Sequence, residues 1–307
     1  MKPNLLSKMT RACRALLIAT LTFLSAGALR AQDGGSNFFD NSVAGINLGN
    51  ASGGSSTHFA SHRNWAIFAL SGGVTITDPS VNGNYDVYGN VGVAGGNLSM
   101  SASWVKGTVY LTDSTTPNMT GGAHADGISN SGNNSYLSQG VTDAVTASNN
   151  AATASPTGAG TTFTGTAVYN SAVSNTTFGF PAIGAANSTY VLNLTDLILS
   201  GASAVLTLNG TNTTNYVFNI NRYMALSSGA QINLTGGMTE ANVLYNVKSN
   251  STQYDVTLSG ASVAHGIILA PQRNVKETTG SIVYGEVIAK GVSLSSASKV
   301  INPYVSP

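Results

Sequence analysis

Cysteine is almost missing from this chain: one residue in 307, Cys13. A lone thiol closes no internal disulfide, so burial and backbone pairing must hold the fold together. Charge is scarce as well, with 13 basic and 12 acidic residues making up 8% of the sequence. That supply is thin for catalysis, which needs acids, bases or nucleophiles gathered in one place. It also leaves no basic footprint for nucleic acid or anionic lipid. Histidine stands at four positions only, His58, His62, His124 and His265. What fills the sequence instead is Gly, Ser, Thr and Asn, with Val, Ile, Thr and Tyr in runs of period two. Disordered chains lack such β-branched and aromatic runs, so the composition indicates a folded β protein.

The first 31 residues read as a secretory signal. Lys2, Lys8, Arg11 and Arg14 precede an apolar stretch from Ala15 to Leu29, and the small residues of Ala26-Gly-Ala28 allow cleavage there or at Ala31. The apolar stretch is short for a membrane span and nothing like it recurs downstream. Residues 1–31 hold five of the basic residues and none of the acidic ones, leaving 8 against 12, a balance of −4. Cys13 leaves with the signal and precedes the apolar stretch, which argues against a lipoprotein anchor. The expectation is a protein secreted to the extracellular space or cell surface, with no membrane span in the mature chain.

A short frame recurs. Ala264-His-Gly-Ile-Ile-Leu-Ala270 returns 19 residues later as Val283-Tyr-Gly-Glu-Val-Ile-Ala289. Earlier, Val87-Tyr-Gly-Asn-Val-Gly-Val93 returns after 18 as Val105-Lys-Gly-Thr-Val-Tyr-Leu111. A step of about 20 residues is too short for a helical hairpin and suits one turn of a β-solenoid. Alternation then assigns sides: Ile268, Ala270, Val287, Ala289, Val91, Val93, Val109 and Leu111 inward; Ile267, Leu269, Glu286, Ile288, Thr108 and Tyr110 outward.

Residues 32–62 read as an irregular capping segment and residues 63–307 as one domain. Trp65–Leu70 is a continuous apolar run, consistent with a strand buried on both faces. Residues 113–160 break the strand rhythm, and Leu137, Val141, Ala144, Val145 and Ser148 fall at helical spacing. This predicts a helix over about 134–150, capped by Asn134 or Ser135. Strands return at Tyr190–Leu199, Ala204–Leu208, Tyr216–Asn221, Gln231–Leu234, Val243–Val247 and Tyr254–Leu258. Outward Ile267, Leu269 and Ile288 would form an exposed apolar stripe, and the helix is its obvious cover. The expected fold is therefore mainly β, a β-solenoid with one long α-helix packed alongside the coil.

Asn64–Gly73, Val87–Asn97, Val243-Leu-Tyr-Asn-Val247, Ile267-Ile-Leu-Ala-Pro271 and Gly285-Glu-Val-Ile-Ala-Lys-Gly291 resemble the bacterial choice-of-anchor A family over roughly residues 60–305. That family is regarded as an adhesive domain and is similar to ice-binding-like β-solenoids, which also carry one long helix. The resemblance implies an exported surface protein. The segment Asn302-Pro-Tyr-Val-Ser-Pro307 shows no hydrophobic tail, basic end or sortase-like motif, so the resemblance leaves open whether and how the protein is anchored.

The candidate chemistry is meagre. His58 and His62 are four apart, but Phe59 rather than Glu follows His58 and the segment is not amphipathic. His265 falls on an outward position, paired in the frame with Tyr284, and His124 sits in a glycine-rich loop. Asp78, Asp86, Asp113 and Asp126 are too spread to argue a cluster, and no calcium-loop pattern occurs. Glu286 and Lys290 read as solvated. Asn187, Asn193, Asn212 and Asn233 open Asn-x-Ser/Thr triplets that composition alone would produce. No catalytic, cofactor-binding or metal-binding residue is assigned.

The reading is a non-enzymatic surface or matrix adhesin without cofactors. It would present a Ser/Thr/Asn/Tyr-rich solenoid face to extracellular matrix, polysaccharide or a cell-surface ligand. Ice binding is the alternative. It needs stacked short side chains, typically Thr-x-Thr, and the pairs at 75/77, 162/164 and 211/213 look isolated. The aligned frames carry Thr108 and Thr112 against Asn90, Ile267 and Glu286. A polysaccharide-active β-helix enzyme is a third reading, lacking the acids such a groove needs.

Overall fold

The computed structural model describes residues 65–78, 85–248 and 254–303, with two short strands at Ser42–Val43 and Ile46–Asn47. The expected signal, and the rest of the 32–62 segment with His58 and His62, lie outside the described residues. Among the described residues the fold is mainly β with one α-helix, Asn134–Ala152. A single sheet of 19 strands closes into a parallel, β-helix-like core.

The frame explains how each rung turns. One rung runs along a first face at Val263–His265, passes Gly266, crosses a second face at Ile267–Ala270 and reaches a third at Asn274–Glu277. The next rung lies on it residue for residue, Ala264 on Val283 through Ala270 on Ala289. The early copies stack likewise, Val87 on Val105 and Val91 on Val109. The frame's glycine is the corner between the first and second faces. Gly89, Gly107, Gly266 and Gly285 all hold φ between 129° and 144°, a region that L side chains avoid. A Cβ at Gly285 would sit 2.1 Å from the carbonyl oxygen of Gly266 on the rung beside it. All eight residues assigned inward are buried in one continuous core.

Chain order and rung order differ. Residues 65–129 form rungs at one end, the helix follows, and residues 162–301 coil back from the far end. The two blocks meet where Ile67–Ala69 lies on Val287–Ala289 and Val74–Thr77 on Val292–Ser295. Lys299–Ile301 completes that tier by lying between Ile282–Tyr284 and Val87–Tyr88. Asn302 Nδ2 closes it, donating to the Trp65 carbonyl at 2.6 Å. The 19-residue helix is about 28 Å long at ~1.5 Å per residue. That matches about six rungs at ~4.8 Å each, so the helix carries the chain back along the stack.

The helix lies on the second face, as the outward apolar stripe required. Leu137, Ala144, Ala147 and Ala151 pack on Val217, Leu244, Ile267, Leu269 and Ile288, with Trp65 and Phe68 at its start. Each large apolar side chain covered in this way contributes about 1.5–3 kcal/mol. The contact stripe differs in detail from the expected one. Val145 is exposed, and Ala147 and Ala151 carry the contact on beyond Leu137 and Ala144, because small residues let the helix axis approach the sheet. Glu286 is also not solvated: it is 4% exposed, on the covered face. The cap is Asn133, and Asn134 Oδ1 instead accepts the Asp113 backbone N–H at 2.9 Å. Within 113–160, strands Asn118–Thr120 and His124–Ser129 continue the coil where irregular chain was expected.

Candidate functional site

Each rung offers three outward surfaces, and they differ sharply. On the second face one column runs Asn193, Asn219, Asn246, Leu269, Ile288, Phe68, Gly92, Tyr110. Gly92 is required there: a Cβ would meet the Phe68 ring at 2.4 Å and Trp65 at 2.9 Å. The asparagines form a ladder, with Asn246 Nδ2 donating to Asn219 Oδ1 at 2.9 Å and Asn219 Nδ2 to Asn193 Oδ1 at 3.2 Å. The same amides reach up to the helix. Asn246 donates to the Ser148 carbonyl at 2.9 Å, and Asn219 to the Ala151 carbonyl at 2.8 Å. Ser148 Oγ donates to Asn246 Oδ1 at 2.6 Å. Buried polar groups cost little when satisfied in this way. This face is spent on the helix.

Among the described residues, the third face carries no helix. Its inward positions are apolar, running Val256, Val275, Val292, Val74 and Leu98. Its outward positions form two columns. Ser293, Thr75, Ser99 and Asn118 stand in register in one, and Ser295, Thr77, Ser101 and Thr120 in the other. Four consecutive rungs thus read Ser-x-Ser, Thr-x-Thr, Ser-x-Ser and Asn-x-Thr. Side chains in a column stand ~4.8 Å apart, and the columns are ~6.7 Å apart, both fixed by backbone geometry. Thr75, Thr77, Asn118 and Thr120 are exposed and the four serines half-buried. No charged residue occurs in this section. Asp78 follows Thr77 at its border, near Asp86, which is 2% exposed and accepts the Trp104 N–H at 2.8 Å. Burial, reinforced by Asp78, pushes the Asp86 carboxyl up to about 7.

Further along, the same face changes character. Lys276 pairs with Asp255 at 2.7 Å, and Arg222 with Asp196. Tyr223 packs on Tyr254 at 5.6 Å. The Ser293 column continues through Lys276, Thr257, Ala225, Ile198 and Val168, of which Val168 is 56% exposed. Behind this section Glu277 points inward between Leu258 and Leu294 and is fully buried. Burial raises its carboxyl well above the ordinary range. Its two oxygens have no hydrogen-bond partner among the described residues.

The first face holds the remaining sequence candidates. His265 stacks on Tyr284 at 4.7 Å and meets Glu240 Oε1 at 2.9 Å. His124 lies against Trp104 and 3.5 Å from Asp126. These are separate pairs, and among the described residues no group of three His, Cys, Asp or Glu is placed to hold a metal. Asp113 is instead structural, accepting the Asn133 N–H at 2.9 Å beside the helix start. Sequence reasoning missed the hydroxyl columns because they lie outside the repeated frame. Their signal was the pair of short polar residues after three of the four frame copies, Ser99 and Ser101, Asn118 and Thr120, and Ser293 and Ser295, visible only once the corner positions are known.

Residues 71–300 match the family model described as Ice-binding-like. Over 103 residues the chain is 34% identical to an ice-binding protein of Flammulina populicola, covering 34% of this chain and 39% of that protein. The match thus spans well under half of that relative's length. An ice-binding protein structure from an Antarctic bacterium, Flavobacteriaceae, is 22% identical with a TM-score of 0.51, over 78% of this chain and 45% of that one. A glycosylated ice-binding protein from an Arctic yeast is 23% identical with a TM-score of 0.49, over 80% and 93%. The Flavobacteriaceae likeness concerns the fold. These matches overturn the expected surface or matrix adhesin with a matrix, polysaccharide or cell-surface ligand: the family model and the relative are ice-binding. The ice-binding-like half of the resemblance stands, and what matches is not a choice-of-anchor A model. The matched proteins are named for binding ice, not for a reaction.

Proposed function

The chain belongs to the Ice-binding-like family, and we propose from that premise that it binds ice through the uncharged section of its bare third face. One observation carries the reading: the two columns of short polar side chains on the rungs of Ser293, Thr75, Ser99 and Asn118. An ice surface is a periodic, uncharged array of water. A partner for it must present hydrogen-bonding groups at fixed repeats, with little entropy left to lose. Serine and threonine on a hydrogen-bonded rung meet both needs, whereas long charged side chains stay hydrated and mobile. Each hydroxyl adds little, and affinity comes from repetition on a rigid support. On this reading the core is a solenoid, residues 63–307 act as one domain, and residues 1–28 or 1–31 direct export. Among the described residues, no helix is long and apolar enough to cross a membrane.

The test is inhibition of ice recrystallisation by purified protein, with Thr75→Tyr and Ser99→Tyr as variants and Thr257→Tyr as a control on the charged section. Because repeated contacts multiply, each of the first two is expected to lose about tenfold or more in potency. Thr257→Tyr is expected to keep it, and circular dichroism to stay unchanged in all three. Equal potency across the set, or no activity in the parent protein, sinks the assignment.

A further inference from the structure

The two ends of the coil are finished differently. At the end begun by Thr162–Tyr169, Phe178 and Phe180 close over the core, with Phe178 5.2 Å from Phe163 and 6.4 Å from Tyr169. At the other end, Asn118–Thr120 pairs only with Leu98–Ser101 among the described residues, and His124–Ser129 only with Trp104–Leu111. Among the described residues, nothing pairs with the outer edges of these two strands. Ile128, in register with the core residue Val109, is 43% exposed, and Met119 and Ala125 are only partly buried. A bare edge above an exposed core end invites strand pairing.

We propose that this end is an interface with a second copy of the same chain, joined edge to edge about a two-fold axis. The argument is register. A bulge between Ala125 and Gly127 shifts the alternation, so that Ala125 and Ile128 both point inward although three apart. In an antiparallel pair, directly opposed residues face the same side. Centred between Asp126 and Gly127, this strand meets itself with Ala125 against Ile128, so inward meets inward. An unbulged strand in that register would set inward residues against outward ones. The same centring sets His124 against Ser129 and Asp126 against Gly127, so no like charges oppose one another. The axis that passes through this corner also passes through the middle of the bare face. There Met119 meets Met119 of the second copy, and Asn118 meets Thr120. An isologous contact of this kind closes on itself and leaves no free edge. One consequence rests on the ice-binding reading: the uncharged columns would continue across the junction and double in length.

The experiment uses the full chain with Cys13→Ser as background. Sedimentation equilibrium is expected to give a mass that rises with concentration to that of a dimer. Met119→Lys puts two ammonium groups on the axis and is expected to halve the mass at the same concentration. Val168→Lys, exposed at the opposite end, is expected to leave the dimer intact. Opposed residues of an antiparallel pair lie about 4.5–5.5 Å apart at Cα, within disulfide reach. Met119→Cys is therefore expected to give covalent dimers under mild oxidation, and Ile183→Cys, 61% exposed at the closed end, to give none. This arm decides the matter if the lysine variant fails to fold. A monomer at every concentration, a dimer indifferent to Met119→Lys, or equal cross-linking of both cysteine variants overturns the proposal. None of these readouts involves ice, so failure here and failure of Thr75→Tyr to lose potency remain distinguishable.

Discussion

The second and third faces are made by the same rungs, yet one is covered and the other bare. Apart from Glu277, their inward positions are apolar side chains of one continuous core. Only the outward positions differ: Val217, Leu244, Ile267, Leu269 and Ile288 on one, serines and threonines on the other. The lesson is that a stacked coil separates stability from recognition. Closing the core is common to all faces, and each outward column is then free to specify a helix, a ligand or nothing.

The comparison breaks most visibly on the covered face. Leu269 is fully buried beneath the helix, and Leu269→Ala leaves a cavity there. The expected loss is about 2–5 kcal/mol, read as a lowered urea midpoint. Potency against ice is expected to survive wherever the protein remains folded. A variant that loses ice activity while keeping its stability would show that the covered face also recognises ligand.

Asn246→Ala tests the polar half of the same face. The substitution strands the Ser148 carbonyl and the Asn219 amide oxygen together. Unsatisfied buried groups of this kind cost about 1–3 kcal/mol. Asn246→Asp adds a buried charge and is expected to be worse, with the deficit shrinking as pH falls and the carboxylate is protonated.

Much of this architecture is legible in the sequence, and the illegible part has a physical cause. The frame Gly-x-φ-x-φ marks the corner and the second face, because only glycine fits the stacked corner at Gly266 and Gly285. Reading outward from it yields the inside residues, the apolar stripe and the need for a cover. The search for a hydroxyl grid then failed because it used that frame. Asn90, Thr108, Ile267 and Glu286 lie on the helix-covered side, which is where an ice-like template cannot be. The bare face begins after a second corner that carries no repeated residue and varies in length, from Ala270 to Asn274 in one rung and Ala289 to Gly291 in the next. Without the register, Thr75-x-Thr77 and Ser99-x-Ser101 look like isolated pairs. Glu277 was unreadable for a related reason: its column is otherwise Leu258, Leu294 and Ile76, and nothing in the local sequence distinguishes an inward glutamate.

Acidity separates the core from the surface in another way. Burial raises the carboxyls of Asp86, Asp143 and Glu277 above their ordinary values, Asp86 to about 7. The folded protein therefore holds protons that the unfolded chain releases. For Asp86 the contribution is full below about pH 4 and falls away as pH rises towards 7, by a few kcal/mol at most. Urea midpoints are expected to decline from pH 4 to pH 7, and Asp86→Asn to flatten that slope. A stability rising over the same interval contradicts the assignment.

The smallest effect concerns the bare face alone. Lys276 interrupts the column between Thr257 and Ser293, and it is the point at which the uncharged section stops. Its pair with Asp255 is half in solvent, the lysine side chain being 54% exposed, so the pair is worth about 0–1 kcal/mol. Lys276→Thr is expected to leave the urea midpoint nearly unchanged and to join Thr257 to the grid. Potency in the recrystallisation assay is then expected to rise by less than about tenfold, since added repeats extend contact without changing its kind. Lys276→Glu keeps the size of the interruption, reverses its sign and sets a second carboxylate beside Asp255. If charge and bulk are what end the section, the glutamate variant stays at the parent's potency while the threonine variant gains.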